Sequence, residues 1–287
     1  MKRILYNITA ILLLFTACEP VETRTEAGSV LSAEELSKAL NIDVQGNNVI
    51  CTNSNSGVIT YWKSSFGSFQ TGGDVKFYIP VQGDFTMEIT AFSDGGTTTV
   101  SKDFSIAERD DSYFSSSLWD LLTNGAEGKT WVWATDYPGG AVWGNGGYLA
   151  NDGPAWWTVN ADGLDGQGAS PNDEITFDLN SGINFKVVST GTTPGSGSGS
   201  FTMDVKEENQ LMNSDGSGAV WSYGQINFQG FSIPLGMNPN NNKATQYKYE
   251  ILKLTADELH LAFAEDASAG AWSTAWFFRF KRKGYSY

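Results

Sequence analysis

Apolar and polar residues alternate with a period of two along much of this chain. Phe85-Thr86-Met87-Glu88-Ile89-Thr90-Ala91 is the clearest run, and Glu174-Ile175-Thr176-Phe177-Asp178-Leu179, Phe201-Thr202-Met203-Asp204-Val205 and Gln225-Ile226-Asn227-Phe228 repeat it. Such a period sends successive side chains to opposite faces of an extended strand, so that one face is buried and the other wet. Residues 58–62, 75–79, 249–254 and 258–263 read as further strands. Ser93-Asp94-Gly95-Gly96 is a hairpin turn that brings the chain back as a Thr-rich strand over 97–106. Helical spacing is confined to two short places. Ser32-Ala33-Glu34-Glu35 has the spacing of a capping box ahead of Leu36 and Leu40, and Leu118 to Leu122 precede a stop at Gly125. Many short strands and no long helix predict an all-β chain, built as an antiparallel sandwich or barrel. The Gly/Ser-rich stretch 190–200 reads as a flexible loop.

The first residues have a different pattern. Met1-Lys2-Arg3 is basic, and residues 4–15 are apolar apart from Tyr6, Asn7 and Thr9. That is short for a membrane span but fits a signal peptide. Thr16-Ala17-Cys18 then resembles the bacterial lipoprotein signal. The resemblance implies removal of residues 1–17 and lipidation of Cys18, and with it a stable membrane anchor. Residues 18–40 read as a tether that ends in the short helix. Cys51, within Val49-Ile50-Cys51-Thr52, is left with no partner and reads as a small core hydrophobe.

Residues 41–108 resemble a PKD-type immunoglobulin-like module, on the strand carrying Trp62, the run Pro80-Val81-Gln82-Gly83-Asp84-Phe85-Thr86-Met87-Glu88-Ile89, and the return at Gly95-Gly96. The resemblance implies a β-sandwich that serves as a spacer or as a second binding surface. A charged joint, Glu108-Arg109-Asp110-Asp111-Ser112, separates it from residues 109–287. This larger part is expected to form an antiparallel β-sandwich of jelly-roll type, with a lipocalin-like barrel as the alternative.

Composition narrows the function. Eighteen basic residues against 32 acidic ones give a net charge of −14, which leaves no basic surface to displace phosphate counterions from nucleic acid. A single His excludes multi-histidine metal and catalytic schemes. Nine of the ten Trp lie beyond residue 108. Trp131 and Trp133 share one strand face and Trp276 opens an apolar run, so these three belong to a core. Others sit among Gly, Asn and Asp: Trp143 in Trp143-Gly144-Asn145-Gly146-Gly147-Tyr148, Trp156-Trp157 after Asn151-Asp152-Gly153-Pro154, Trp221 near Tyr223, and Trp272 within 267–273. Indole faces pack on the C–H faces of sugar rings while amides and carboxylates select hydroxyls. Trp143, Tyr148, Trp156, Trp157, Trp221 and Trp272 are therefore the expected platforms, with Asn145 and Asp152 as polar selectors.

Leu121-Leu122-Thr123-Asn124-Gly125, Lys129-Thr130-Trp131-Val132-Trp133, the Gly-rich stretch, Trp156-Trp157 and Asn172-Asp173-Glu174-Ile175-Thr176-Phe177 resemble a domain of Bacteroidetes surface lipoproteins of the SusE/SusF-like, glycan-binding kind. That resemblance implies display on the outer membrane and non-catalytic capture of a glucan-like polysaccharide for a SusC/SusD-type uptake system. Two alternatives stay open. A glycoside hydrolase would pair two loop carboxylates, from Asp152, Asp162, Asp165, Asp173 and Glu174. A protein-binding adhesin would use the same aromatic surface. No cofactor is expected, although Asp162, Asp165 and Asp173 are candidate oxygen donors for a structural Ca²⁺. His260, between Leu259 and Leu261 on a strand, is expected to face solvent or a cross-strand partner. Gly195-Ser196-Gly197-Ser198-Gly199 matches a nucleophile-elbow pattern only within low-complexity sequence.

Overall fold

A computed structural model describes residues 28–287; the leader and Cys18 lie outside the described residues. The first element among the described residues is the helix Ala33–Ala39. Its N-cap Ser32 accepts from the Glu35 N–H, and the Glu35 carboxylate accepts from the Ser32 N–H, which completes the capping box.

Seven strands follow: β1 (Leu40–Gln45), β2 (Asn48–Asn53), β3 (Ile59–Ser64), β4 (Phe69–Thr71), β5 (Asp74–Tyr78), β6 (Gly83–Ser93) and β7 (Gly96–Ile106). They form two antiparallel sheets, β1-β2-β5 and β4-β3-β6-β7, which pack as a sandwich. Buried residues alternate along β6, where Phe85, Met87, Ile89 and Ala91 face inward. Trp62 is fully buried between the sheets and donates its indole N–H to the Gly72 carbonyl at 2.8 Å. Cys51 packs in this core, and burial pushes its thiol up to about 11.

The second part is a closed barrel. Its wall consists of β8 (Lys129–Trp133), β11 (Glu174–Asp178), β12 (Asn184–Val188), β13 (Gly197–Asp204), β16 (Gln225–Gln229), β19 (Lys248–Leu254), β20 (Glu258–Ala264) and β21 (Thr274–Arg282). Outside the ring lie β9 (Ala141–Gly147), β10 (Trp157–Asn160), the hairpin β14 (Leu211–Met212) with β15 (Val220–Ser222), and the hairpin β17 (Met237–Asn238) with β18 (Ala244–Thr245). Consecutive wall strands pair antiparallel in the order β8-β11-β12-β13-β16-β19-β20-β21, and β21 returns to β8. Of the two expected arrangements for this part, the closed meander is the one formed, not the jelly roll.

Eight strands enclose a space that side chains can just fill, and here aromatic rings fill it. Phe177 meets Phe201 at 5.1 Å, Phe185 meets Phe228 at 4.7 Å, Trp133 meets Phe280 at 4.6 Å and Tyr249 meets Phe278 at 5.5 Å. The helix Leu118–Thr123 caps this core, with Trp119 against Phe201 and the Leu122 carbonyl accepting from the Trp131 indole. Outward positions on β11–β16, such as Thr176, Lys186, Thr202 and Asn227, are polar or partly wet. An apolar interior and polar exterior are the inverse of a transmembrane barrel.

Two expectations about loops need correcting. Residues 197–200 belong to β13 and not to a flexible loop; a side chain at Gly199 would overlap the Gln229 carbonyl oxygen on β16. Likewise Trp143-Gly144-Asn145-Gly146-Gly147 is strand β9. Gly144 has φ +147° and a side chain there would overlap the Trp157 carbonyl oxygen, so its glycine reflects the close approach of a neighbouring strand.

Candidate functional site

Strand β21 has nine residues, enough to pair with two strands along a single edge. Phe280–Arg282 meet β8 and complete the ring, while Thr274–Phe278 meet β9, onto which β10 is added. Strands β9 and β10 therefore stand off the ring as a two-stranded border. The Trp-rich segments of the sequence converge on this border.

Trp143, Trp157 and Trp276 form a packed trio with ring centroids 5.2–5.9 Å apart. Trp143 and Trp276 are buried in it, whereas Trp157 is 42% exposed and its neighbour Trp156 is 51% exposed. Trp272, on the other side of β9, is the most exposed tryptophan at 61%. The remaining seven tryptophans are at most 4% exposed. The exposed indoles of the described chain are thus gathered on one border of the barrel.

Backbone bonds hold these rings in place. Asn145 accepts from the Ala155 and Trp156 N–H groups with its carbonyl, at 2.9 and 3.0 Å, and from the Trp157 N–H with its side-chain oxygen at 3.0 Å. Trp272 has the left-handed φ of +67°, donates its N–H to the Tyr148 carbonyl, and lays its ring over Gly147. A bulky residue in that conformation is strained and persists only when its surroundings impose it.

Several expected platforms are placed differently. Trp143 lies under Trp157. Tyr148 and Trp221 pack edge to face at 5.1 Å in a second small core with Leu252, Ala262, Ala275 and Phe277, on the outer face of the barrel wall. The Trp221 indole donates to the Asn151 carbonyl at 2.7 Å. These three are buried, at 1%, 7% and 4% exposure, and stand behind the exposed rings. Asn145, which the sequence suggested as a selector, accepts from the backbone N–H groups of residues 155–157 with both its oxygens. Asp152 is fully exposed, 3.9 Å from the Arg279 guanidinium.

Beside this second core lies a cavity of about 290 Å³, near the lower end of the range for small-molecule sites. Tyr148, Gln225, Lys248, Glu250 and Ala264 line it. The Glu250 carboxylate is buried and accepts from the Ser222 hydroxyl at 2.7 Å and the Gln225 amide at 2.8 Å. Burial, and then the Glu250 charge, raise the Tyr148 hydroxyl above its ordinary range. Sequence reading missed Glu250 and Gln225. Their alternation marks an outward face, but nothing local announces that the face is covered.

The loop carboxylates do not assemble. Asp173 is buried and accepts from the Ser170 N–H at 2.9 Å and the Trp133 indole at 3.3 Å, while Glu174 pairs with Lys283. Among the described residues no group of three or more His, Cys, Asp or Glu could hold a metal ion. His260 is buried opposite Arg279, with the Tyr137 ring against it at 5.6 Å. Burial, and then the Arg279 and Lys253 cations, hold its imidazole down to about 3. Lys281, near the end of β21, is buried and paired with Asp136.

The chain matches no protein-family model and no curated protein. Among solved structures, the PKD1 domain of Vibrio anguillarum Epp is 17% identical over 24% of this chain and 89% of that chain, with a TM-score of 0.23.

Proposed function

We propose that this chain is a surface lipoprotein that captures a neutral polysaccharide without cleaving it, and that the β9–β10–β21 border is its binding surface. The observation that carries this reading is the segregation of the tryptophans: Trp156, Trp157 and Trp272 are 42–61% exposed on one border while the other seven are buried. Burying indole is strongly favourable, so three large rings left wet together have a cost that a ligand can offset. Rings held by backbone bonds to Asn145 and Tyr148 are preorganised, which lowers the ordering cost of binding. The packed barrel interior leaves no room for a ligand, so the ligand sits outside, where a long chain can run past.

Lipidation at Cys18, display on the outer membrane and delivery of a glucan-like chain to a SusC/SusD-like transporter complete the proposal. They rest on the lipoprotein-like signal and on the layout of anchor, sandwich and aromatic β domain. Affinity electrophoresis through gels containing individual polysaccharides, with an assay for new reducing ends, tests it. Retardation by at least one neutral glycan with no new ends supports capture. New reducing ends would make the protein a hydrolase, and migration unaffected by every glycan would overturn the reading.

A further inference from the structure

We propose that the cleft between the sandwich and the barrel is a second binding site, which takes a neutral oligosaccharide chain. Two adjoining cavities, of about 330 and 640 Å³, meet at Gly67, Gln229 and Gly230. The sandwich contributes the β3–β4 turn with Phe66, Ser68 and Phe69; the barrel contributes Ser200, Gln229 and Tyr247. Domain interfaces are a preferred place for ligand sites, and these volumes suit several sugar rings in a row. The turn approaches so closely that a side chain at Gly67 would come within 2.9 Å of the Ser200 hydroxyl.

The lining chemistry selects the ligand class. No Asp, Glu, Lys or Arg lines either cavity, in a chain that carries 18 basic and 32 acidic residues. A charged ligand would lose its hydration there with no counter-charge to replace it. Phe69 is 66% and Tyr247 45% exposed, and Tyr61 backs Phe69 at 5.9 Å, so apolar faces stand at the rim. Neutral donors and acceptors stand between them. The Ser68 hydroxyl oxygen is buried with no hydrogen-bond partner among the described residues, an arrangement that is unfavourable until something supplies one. Gln229 accepts from Ser200 through its side-chain oxygen at 3.4 Å, and its amide N–H₂ has no partner among the described residues. Apolar faces flanking unpaired, uncharged polar groups match a ring that carries C–H faces and hydroxyls.

By strand order the cleft faces β12, β13 and β16, across the barrel from β9 and β21. The two surfaces therefore contact different stretches of a polymer, and occupying both raises avidity with no new contact at either one.

Isothermal titration of the full chain with maltohexaose, cellohexaose and laminarihexaose tests the cleft, with tryptophan fluorescence followed in parallel. No tryptophan lines the cleft, so its occupancy releases heat without quenching, whereas binding at the β9–β10–β21 border quenches. The expected result is two sites per chain for at least one probe. Phe69→Ala and Gln229→Ala each weaken the fluorescence-silent event tenfold or more, and Trp272→Ala leaves it unchanged. Both replaced side chains are exposed, and an unaltered circular dichroism spectrum confirms that the variants fold. A stoichiometry of one, with titrations unaltered by either cleft variant, overturns the cleft and leaves the border reading standing. No heat with any of the three probes overturns the cleft, while the border reading is decided separately by the polysaccharide gels.

Discussion

Trp272 donates its backbone N–H to the Tyr148 carbonyl at 2.9 Å, and Tyr148 returns its own N–H to the Ser273 carbonyl at 2.7 Å. This reciprocal pair fixes a tryptophan at φ +67° on the surface, next to a tyrosine that is buried. The strain and the exposure of Trp272 both go unrewarded in the free protein. Trp272→Ala is therefore expected to weaken glycan retention tenfold or more while shifting the melting temperature by only a few degrees. Trp272→Gly should be more stable than Trp272→Ala by about 1 kcal/mol, because glycine adopts this conformation freely. Melting curves of the two variants measure the difference, and equal stabilities would show that the backbone there is unstrained.

Trp131 makes the opposite prediction. It is fully buried in the barrel, and its indole donates to the Leu122 carbonyl at 3.0 Å, tying the wall to the capping helix. Trp131→Ala removes that bond and leaves a cavity, so a loss of about 3–5 kcal/mol is expected. Trp156→Ala, at a half-exposed ring, should cost under 1 kcal/mol and should instead weaken binding. Urea unfolding of both variants separates the classes; comparable stability losses would remove the distinction between core and platform on which the binding surface rests.

In the barrel wall β11, β16 and the second half of β13 were legible in the sequence because one face of each is wet, which preserves the period of two. Strands β20 and β21 break that rule, because a second layer covers their outer face. Ala262 and Phe277 lie under Tyr148 and Trp221; His260 and Arg279 lie beneath Tyr137, which packs on Tyr287, and Lys281 pairs with Asp136. Nothing within either strand encodes a cover supplied by residues elsewhere in the chain, of which Tyr137 and Tyr148 lie more than a hundred positions away. Glycine misled for a related reason. In β9 it marks a neighbouring backbone, yet in sequence it reads as a turn, and this turned Trp143 into a loop residue. The exposed border itself was partly legible: tryptophans flanked by Gly, Asn and Asp include all three exposed ones, but the pattern could not distinguish them from those that fold inward.

Asn145 tests whether the platforms need a rigid mount. Its side-chain oxygen accepts from the Trp157 N–H at 3.0 Å, and its carbonyl takes the N–H groups of Ala155 and Trp156. Asn145→Ala keeps the carbonyl bonds and loses only the side-chain one, worth about 1 kcal/mol. Retention should fall several-fold as Trp157 loosens. Asn145→Asp keeps an acceptor at the same place and should restore most of the affinity. If the aspartate variant were as weak as the alanine variant, Asn145 would be contacting the ligand itself.

The single histidine gives stability a pH dependence whose sign follows from its burial. His260 is buried against Arg279 and Tyr137, with Lys253 and Glu258 nearby, and its pKa is lowered from 6.5 to about 3. The unfolded chain takes up a proton near pH 6.5 and the folded chain does not. The neutral imidazole therefore contributes nothing to pH dependence above pH 6.5, and stability falls as the pH drops from there toward 3. At 1.36 kcal/mol per unit, the loss between pH 6.5 and 5 is about 2 kcal/mol. Glu258, whose pKa is lowered by its bonds to Lys253 and Tyr287, keeps its charge through that window and adds its own loss only below it. His260 is the one histidine in the chain, so no other imidazole competes in this range. Chemical denaturation at pH 7, 6 and 5 should show the fall in the wild type, and His260→Gln should flatten it. A wild-type profile level from pH 7 to 5 would mean that the imidazole can protonate in place, which requires the layer formed by Tyr137 and Tyr287 to open to water.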